Sequence, residues 1–192
     1  MKGEYLPILE ALLFASPDPL SIGQLQELFD DGDRENIVQG LQQLKELYES
    51  KGSGLTIIEV AGGFRMSTRP DLHPWLSRLA RARPSRLSRP ALETVAIVAY
   101  RQPITKAEIE AIRGVSVDGV LKTLIERGLI RIVGRKREVG RPILYGTSRA
   151  FLEYFGFQEL TELPSLHELE TMVPTREETA QLTVTETERM ES

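Results

Sequence analysis

The stretch "ITKAEIEAIRGVSVDGVLKTLIERG", residues 104–128, predicts two short helices joined by a tight turn. Thr105 stands three positions before Glu108, which is the spacing of a capping box: the hydroxyl accepts from one helix amide and the carboxylate reaches back. Ser116 is the candidate N-cap of the second helix, and Gly128 stands where a left-handed residue would end it. This pattern is typical of a helix-turn-helix unit.

The helix pair has a counterpart about 84 residues earlier in the chain, which indicates an internal repeat. Ser21 and Gln24 repeat the capping-box spacing, and Asp33 is the candidate N-cap of a third helix that Gly52 would end. The matching apolar positions are Leu20, Leu25 and Leu28 in the first copy and Ile104, Ile109 and Ile112 in the second. We therefore expect the two copies to fold alike.

A β-hairpin is predicted after the helices of each copy, because β-branched and aromatic residues are enriched there around glycines. The first hairpin, "LTIIEVAGGFRMST" at 55–68, has Gly62 and Gly63 as its expected two-residue turn. The second, "LIRIVGRKREVGRPILYGT" at 129–147, has a longer and strongly basic tip. A short helix closes each copy, and this order of elements is that of a winged-helix domain.

The predicted fold class is therefore mainly α with small β-hairpins (α+β), arranged as two tandem winged-helix domains of the helix-turn-helix type. The domains are expected over 1–82 and 91–160. Between them, 83–90 contains prolines, serines and arginines that interrupt both hydrophobic periodicities, which predicts a linker. The remaining 161–192 is rich in Thr and Glu, and this composition predicts an acidic, mostly disordered C-terminal tail.

The charge of the chain is strongly partitioned, although its formal net value is only −4. Residues 1–77 carry a net −6, residues 78–149 carry +10 from 16 basic and 6 acidic side chains, and residues 150–192 carry −8. The basic middle segment is the part of the chain that would attract an anionic partner.

Little in the sequence suggests catalysis, a metal or another cofactor. No cysteine is present, which excludes disulfides and thiolate chemistry. His73 and His167 are far apart and have no partner at ligand spacing. No apolar run is long enough to cross a bilayer and the first residues lack a signal-peptide pattern, so we expect a cytoplasmic, non-enzymatic protein without a cofactor or membrane contact.

The basic hairpin tip leaves three interpretations open: solvent, an acidic protein partner, or sequence-independent contact with DNA phosphates. The tip residues concerned are Arg135, Lys136 and Arg137. Base-specific contact is disfavoured because the third helix of the second copy offers mainly Asp118, Lys122, Thr123 and Glu126 to a major groove. A winged-helix DNA-binding transcriptional regulator is the alternative to a protein-binding role.

Several long motifs resemble one known family. They are "LEALLFASPDPLS" at 9–21, "LTIIEVAGGFRMSTRP" at 55–70, "ALETVAIVAYRQPITKAEIEAIRGVSVDGVLKTLIERGLI" at 91–130 and "GRPILYGTSRAFLEYFG" at 140–156. They are similar to the segregation and condensation protein B family, ScpB, of bacterial chromosome maintenance, and the likeness covers about residues 5–157. The acidic tail lies outside it.

The resemblance implies a homodimer of two-domain chains and a non-enzymatic role in a condensin-like complex. In that complex the chain would bind the kleisin ScpA and, through it, the SMC ATPase, and would act in chromosome condensation and partition during cell division. The resemblance assigns dimerisation to the N-terminal domain and kleisin binding to the C-terminal domain. Contact with DNA would be at most indirect or non-specific.

Five residues of the second copy are candidate partner contacts. Val95, Val98 and Tyr100 point in several directions around one helix, so that one flank is covered either by a partner or by the helix's own domain. Arg141 and Tyr145 in the "GRPILYGT" motif are the other two candidates. On the predicted hairpin, Arg141 would offer a partner a positive charge and Tyr145 an apolar ring with a polar hydroxyl.

Overall fold

The computed structural model describes residues 5–29, 33–79, 86–165 and 168, and both halves show the predicted order of elements. The first half contains α1 (Tyr5–Ala15), α2 (Ile22–Leu28), α3 (Arg34–Ser50), β1 (Leu55–Val60), β2 (Gly63–Thr68), a 3₁₀ turn (Pro70–Leu72) and α4 (His73–Leu79). The second contains α5 (Arg89–Arg101), β3 (Ile104–Thr105), α6 (Lys106–Arg113), α7 (Asp118–Glu126), β4 (Ile130–Arg135), β5 (Ile143–Thr147), α8 (Arg149–Phe155) and a 3₁₀ turn (Leu160–Glu162). The described fold is thus mainly helical with small antiparallel sheets.

Both predicted capping boxes are confirmed. In the first half the Gln24 amide donates to the Ser21 hydroxyl at 3.2 Å, and the Ser21 amide donates to the Gln24 side chain at 3.0 Å. In the second half the corresponding distances between Thr105 and Glu108 are 3.3 Å and 2.8 Å. Each box satisfies amides that would otherwise lack partners, and so fixes where the helix begins.

The third helices begin in different ways. Asp33 caps α3 as predicted, since its carboxylate accepts from the Glu35 amide at 3.1 Å. The prediction that Ser116 caps α7 is wrong: Val117 is the N-cap, and the Ser116 hydroxyl lies 3.3 Å from an oxygen of Asp118 instead. The Val117 amide is satisfied from α6, by a carboxylate oxygen of Glu110 at 3.1 Å. The start of α7 therefore has no side-chain cap, and its N-cap amide is satisfied by the preceding helix.

The core of the first half forms where α1 packs against α3. Its buried side chains are Leu9, Leu13, Leu25, Ile37, Leu41, Leu44 and Ile57. Gly40 of α3 makes this packing close, because a Cβ added there would lie 2.7 Å from the Leu9 Cδ1. The first copy thus encloses its own apolar core.

The first sheet consists of β1 and β2 in antiparallel register, with Val60 opposite Gly63. The turn is therefore Ala61 and Gly62, both with positive φ, and the prediction of Gly62 and Gly63 was wrong by one residue. Gly63 serves a different purpose: Leu20 and Phe64 exchange two backbone hydrogen bonds of 2.9 Å, and a Cβ on Gly63 would lie 2.8 Å from the Leu20 carbonyl carbon. Glycine is required at 63 by close backbone approach.

The second sheet has the strand order β3-β5-β4, all antiparallel, so the short β3 of the helix pair joins the hairpin. The register shifts between Ile132 and Gly134, which makes Val133 a bulge. Helix α5 lies at the centre of this half. It contributes Ala91, Val95 and Val98 to the core, and the other buried apolar side chains are Leu87, Ile104, Ile109, Val117, Leu121, Leu124, Leu129, Ile130 and Phe151.

The buried polar groups of the second half are hydrogen-bonded. Thr147 is held by Gln102, whose side-chain oxygen accepts from the Thr147 amide at 2.8 Å. Thr94 on α5 accepts from the Arg113 guanidinium at 2.6 Å, which ties α6 to α5. Among the described residues, no buried side-chain nitrogen or oxygen lacks a partner, so the polar groups of this core carry no uncompensated desolvation.

Polar contacts join the two halves inside a compact unit that spans Met1–Leu160. The Arg149 guanidinium donates to the Pro19 carbonyl, and the Ala61 amide donates to the Phe157 carbonyl at 2.8 Å. Arg65 also lies 3.5 Å from the Glu153 carboxylate.

Parts of the predicted linker and tail lie outside the described residues. Of the linker at 83–90, residues 83–85 are not among them, and residues 89–90 already belong to the first turn of α5. Of the tail at 161–192, only 161–165 and 168 are described. The prediction of a disordered tail therefore remains a prediction.

Substitution of Gly63 by alanine tests the close approach between β2 and Leu20. We expect Gly63→Ala to lower the free energy of unfolding by about 2 kcal/mol, because the new Cβ overlaps backbone atoms that cannot move aside. Gly23→Ala in α2 is the matched control: its Cβ meets nothing closer than 4.0 Å, and alanine favours the helix by up to about 1 kcal/mol. Urea unfolding followed by circular dichroism measures both, and equal midpoints would contradict the proposed role.

Candidate partner-binding surfaces

Helix α5 carries three of the predicted partner contacts, and the structure separates them. Val95 is 1% exposed and Val98 is 0% exposed, both enclosed by their own half. The hypothesis that a partner covers these two side chains is therefore wrong, and the alternative of a central helix covered by its own fold holds for them. Tyr100 is half-buried and keeps part of its ring at the surface.

The accessible side of α5 is an apolar stripe that the sequence analysis missed. Leu92 and Ala96 are exposed, and together with Tyr100 they recur every four positions, which places them on one helix face. Ile97 is half-buried beside them. The i, i+4, i+8 spacing was visible in the sequence, but apolar residues on every side of the helix concealed it. We call Leu92, Ala96 and Tyr100 the α5 stripe.

The neighbouring face of α5 is fixed by Arg113 of α6. Its guanidinium lies 2.8 Å from the Pro90 carbonyl oxygen and 3.1 Å from the Glu93 carboxylate. Glu93 also pairs with Arg89 at 3.1 Å. These contacts hold α5 against α6, so the α5 stripe is presented on an anchored helix.

Tyr145 and Arg141 occupy different parts of the second hairpin. Tyr145 lies in β5, the middle strand, half-buried and opposite both Ile104 and Ile132. Ile132 is exposed, so the surface beside the tyrosine ring is apolar. Arg141 lies at the tip with a φ of 43°, its amide donates to the Glu138 carbonyl at 2.9 Å, and its side chain is exposed.

The three consecutive basic residues of the tip have different environments. The Lys136 ammonium lies 2.8 Å from carboxylate oxygens of both Glu108 and Glu138, so its charge is neutralised within the fold. Arg135 donates to the Arg141 carbonyl at 3.2 Å and remains exposed. Arg137 is exposed and has no ion pair with any described carboxylate. Only the two arginines offer their charge to a partner.

Glu108 is the electrostatic link between α6 and the hairpin tip. The hydrogen bond from Lys136, followed by those from the amide and hydroxyl of Thr105, lowers the pKa of the Glu108 carboxyl to about 2. The same pair raises the pKa of Lys136, with Glu138 adding to the effect. One carboxylate therefore both caps the helix and holds the tip.

In the first half, α1 exposes an apolar face on the side away from the core. Phe14 is 76% exposed, and Pro7, Ile8 and Ala11 are exposed on the preceding turns. Pro7, Ala11 and Phe14 line a shallow groove of about 400 Å³, together with Leu55, Met66 and the hydrogen-bonded pair of Glu10 and Tyr48. A contiguous apolar surface of this kind is typical of a protein contact.

The described residues give little support for a metal site, for a histidine-based site or for a membrane-spanning helix. No group of three or more His, Asp or Glu side chains among them could hold a metal ion. His73 lies 3.1 Å from the Ser77 hydroxyl within α4, and His167 is outside the described residues. In the part of the chain that the structure describes, no helix combines the length and apolarity needed to cross a membrane.

These features define the class of the protein. It is a mainly helical protein with small antiparallel sheets, whose exposed features are apolar helix faces and a basic hairpin. Such surfaces are suited to contacts with other macromolecules.

Comparison with known proteins identifies the family. The sequence model of the family described as "Segregation and condensation complex subunit ScpB" matches residues 7–166. Segregation and condensation protein B of Symbiobacterium thermophilum is 51% identical over 174 residues, covering 88% of this chain and 78% of that protein. The protein of the same name from Syntrophotalea carbinolica is 48% identical over 165 residues, covering 86% and 83%.

Among solved structures, the crystal structure of ScpB from Mycobacterium tuberculosis shares 35% sequence identity. It covers 82% of this chain and 98% of that one, with a TM-score of 0.39. From the match to the family model and the identity to these relatives, the chain belongs to the ScpB family, and the resemblance noted in the sequence is confirmed.

The ionic link at Glu108 can be measured directly by NMR titration of its carboxyl. We expect a pKa of about 2 in the unaltered chain, and a rise towards 4.5 in Lys136→Met that stops short of it because Thr105 still donates. Since the folded pKa is depressed, the contribution of Glu108 to stability is complete above about pH 4.5 and is lost as the pH falls through about 2.

Lys122→Met is the control for this titration, since Lys122 pairs with Glu126 on α7 rather than with Glu108. It should leave the Glu108 pKa unchanged. A pKa that stays near 2 in Lys136→Met would show that the lysine does not hold the carboxylate.

Proposed function

We propose that the chain is a non-catalytic subunit of an SMC–ScpA–ScpB complex that acts in chromosome condensation and partition during cell division. It would bind the kleisin ScpA and, through it, the SMC ATPase, in the cytoplasm at the nucleoid. The observation that carries the proposal is membership of the ScpB family over residues 7–166.

Each half is proposed to be a winged-helix domain, with the first over 1–82 and the second over 91–160. In both halves, three helices precede a two-stranded antiparallel hairpin and a closing helix, which is the order that such domains have. In this proposal the first domain forms the homodimer and the second binds the kleisin.

The proposed dimer contact is the exposed face of α1. Apart from Glu10, the helix carries no charged side chain, and its accessible positions Pro7, Ile8, Ala11 and Phe14 are all apolar. In a symmetric dimer, each of the two chains would bury this face. Every Å² of apolar surface removed from water would stabilise the dimer by roughly 25 cal/mol. A second copy of the chain is therefore the occupant that we propose.

The proposed kleisin contact combines the α5 stripe with the hairpin. Leu92 and Tyr100 would supply the apolar part, Tyr145 an aromatic contact with a polar tip, and Arg141 a charge at the rim. Aromatic and arginine side chains are the types most often found to carry interface energy.

The alternative of a sequence-specific DNA regulator has weaker support. On α7, Asp118 contacts the Lys106 ammonium and Lys122 pairs with Glu126, so the helix that would enter a major groove carries two acids among its charged residues. Phosphates would repel such a surface. Strong binding to one operator sequence would contradict the proposal.

The α5 stripe is tested by Leu92→Asp, measured as binding of purified ScpA by isothermal titration calorimetry. A carboxylate placed in an apolar contact loses its hydration, so we expect the affinity to fall by about tenfold or more. Ile125→Asp on α7 is the matched control, since Ile125 is 41% exposed and Leu92 is 42% exposed. The control should bind ScpA normally.

Equal affinities of the two variants would exclude the stripe from the contact. Arg141→Glu and Tyr145→Ala test the hairpin part in the same assay. If both folded variants bind ScpA like the unaltered chain, the hairpin has no part in kleisin binding.

The dimer is tested by Phe14→Asp and light scattering. We expect the mass to fall from that of two chains to that of one, about 21.6 kDa, because a two-fold contact would bring the two new carboxylates, one from each chain, face to face, where they repel. Trp75→Asp on α4 is the control, with an aromatic side chain that is 67% exposed outside α1. A Phe14→Asp variant that remains dimeric would place the contact elsewhere.

A further inference from the structure

The tip of the second hairpin carries three arginines, of which the proposed kleisin contact uses only Arg141. They are Arg135, Arg137 and Arg141, all exposed, and none forms an ion pair with a carboxylate of the described residues. We call these three residues the arginine row. Lys136, which lies between Arg135 and Arg137, is not included because two glutamates already neutralise its charge.

The backbone of the tip is held in place by contacts within the hairpin. The Lys136 amide donates to the Pro142 carbonyl at 2.9 Å, and the Arg141 amide donates to the Glu138 carbonyl at the same distance. The ion pair from Lys136 to Glu108 ties this loop to the start of α6. The arginine side chains therefore extend from an ordered support, which lowers the entropy lost when a partner binds.

The arginine row lies around the exposed tip. Arg135 is the last residue of β4, and Arg137 and Arg141 lie in the loop that follows it. Arg131 is separate from the row, because the bulge at Val133 places it on the opposite face from Arg135, and its Nε donates to the Thr147 carbonyl at 3.3 Å. A guanidinium can hold a phosphate by two parallel hydrogen bonds, and a duplex presents phosphates along both edges of its grooves.

We propose that the arginine row binds the phosphate backbone of double-stranded DNA without sequence preference. In this proposal the second hairpin makes the contact, and α7, which carries Asp118 and Glu126, stays out of the groove, so bases are not read. The net +10 of residues 78–149 brings the duplex towards the hairpin over a distance set by the ionic strength. Arg135 and Arg137 have no part in the proposed ScpA contact, so changing them separates the two proposals.

The proposal is tested with the full chain and a fluorescein-labelled 30-base-pair duplex, using fluorescence anisotropy between 50 and 200 mM salt. If the three arginines each neutralise one phosphate, the logarithm of the affinity falls with the logarithm of the salt concentration with a slope of about −2.7. Arg135→Gln/Arg137→Gln should make this slope shallower by about 2 and weaken binding by about tenfold or more at 100 mM salt.

Arg89→Gln/Lys122→Gln is the matched control, because it removes the same two charges from residues that already pair with Glu93 and Glu126. It should keep the slope of the unaltered chain. A second duplex of scrambled sequence should bind within about twofold of the first.

Three results would overturn the proposal: equal slopes for the two double variants, more than about tenfold preference for one duplex, or binding of polyglutamate that duplex DNA does not displace. The last result would assign the arginine row to an acidic protein.

Binding of ScpA by Arg135→Gln/Arg137→Gln is measured alongside. Normal ScpA binding with lost DNA binding supports the DNA contact alone, so failure of either proposal is recognised separately.

Discussion

The hydrogen bonds and ion pair of the Glu108 carboxylate hold together the helices, sheet and hairpin tip of the second half. The carboxylate closes the capping box of α6 through Thr105 and receives the ammonium of Lys136 from the hairpin tip. Thr105 itself is a residue of β3 and pairs with Leu144 of β5. Helix, sheet and tip are therefore joined at one side chain, which holds the hairpin tip against the start of α6.

The central position of α5 limits the apolar surface that this helix can offer to a partner. Because Val95 and Val98 fill the core, the helix has only one apolar strip left for external contact. Arg113 fixes the adjoining face by hydrogen bonds to Thr94 and Pro90. The fold thereby separates an apolar surface on α5 from a charged one on the hairpin, and each suits a partner of different chemistry.

Local features of this fold could be predicted from the sequence, and features set by distant residues could not. The spacing of Thr105 and Glu108 identified a helix start because both halves of a capping box lie within one turn. The role of Gly63 was missed because the atoms that exclude a side chain there belong to Leu20, far away in the chain. Likewise, the charge of Lys136 was counted as available because its partner Glu108 lies 28 positions away.

The two hairpins differ mainly in the length of their tips. Two residues, Ala61 and Gly62, connect the strands of the first, and residues 136–142 connect those of the second. Lengthening a loop from two residues to seven costs only about 1 kcal/mol of closure entropy. A tip of this kind can therefore carry additional residues for binding a partner at little loss of stability, and the short turn of the first hairpin has no room for them.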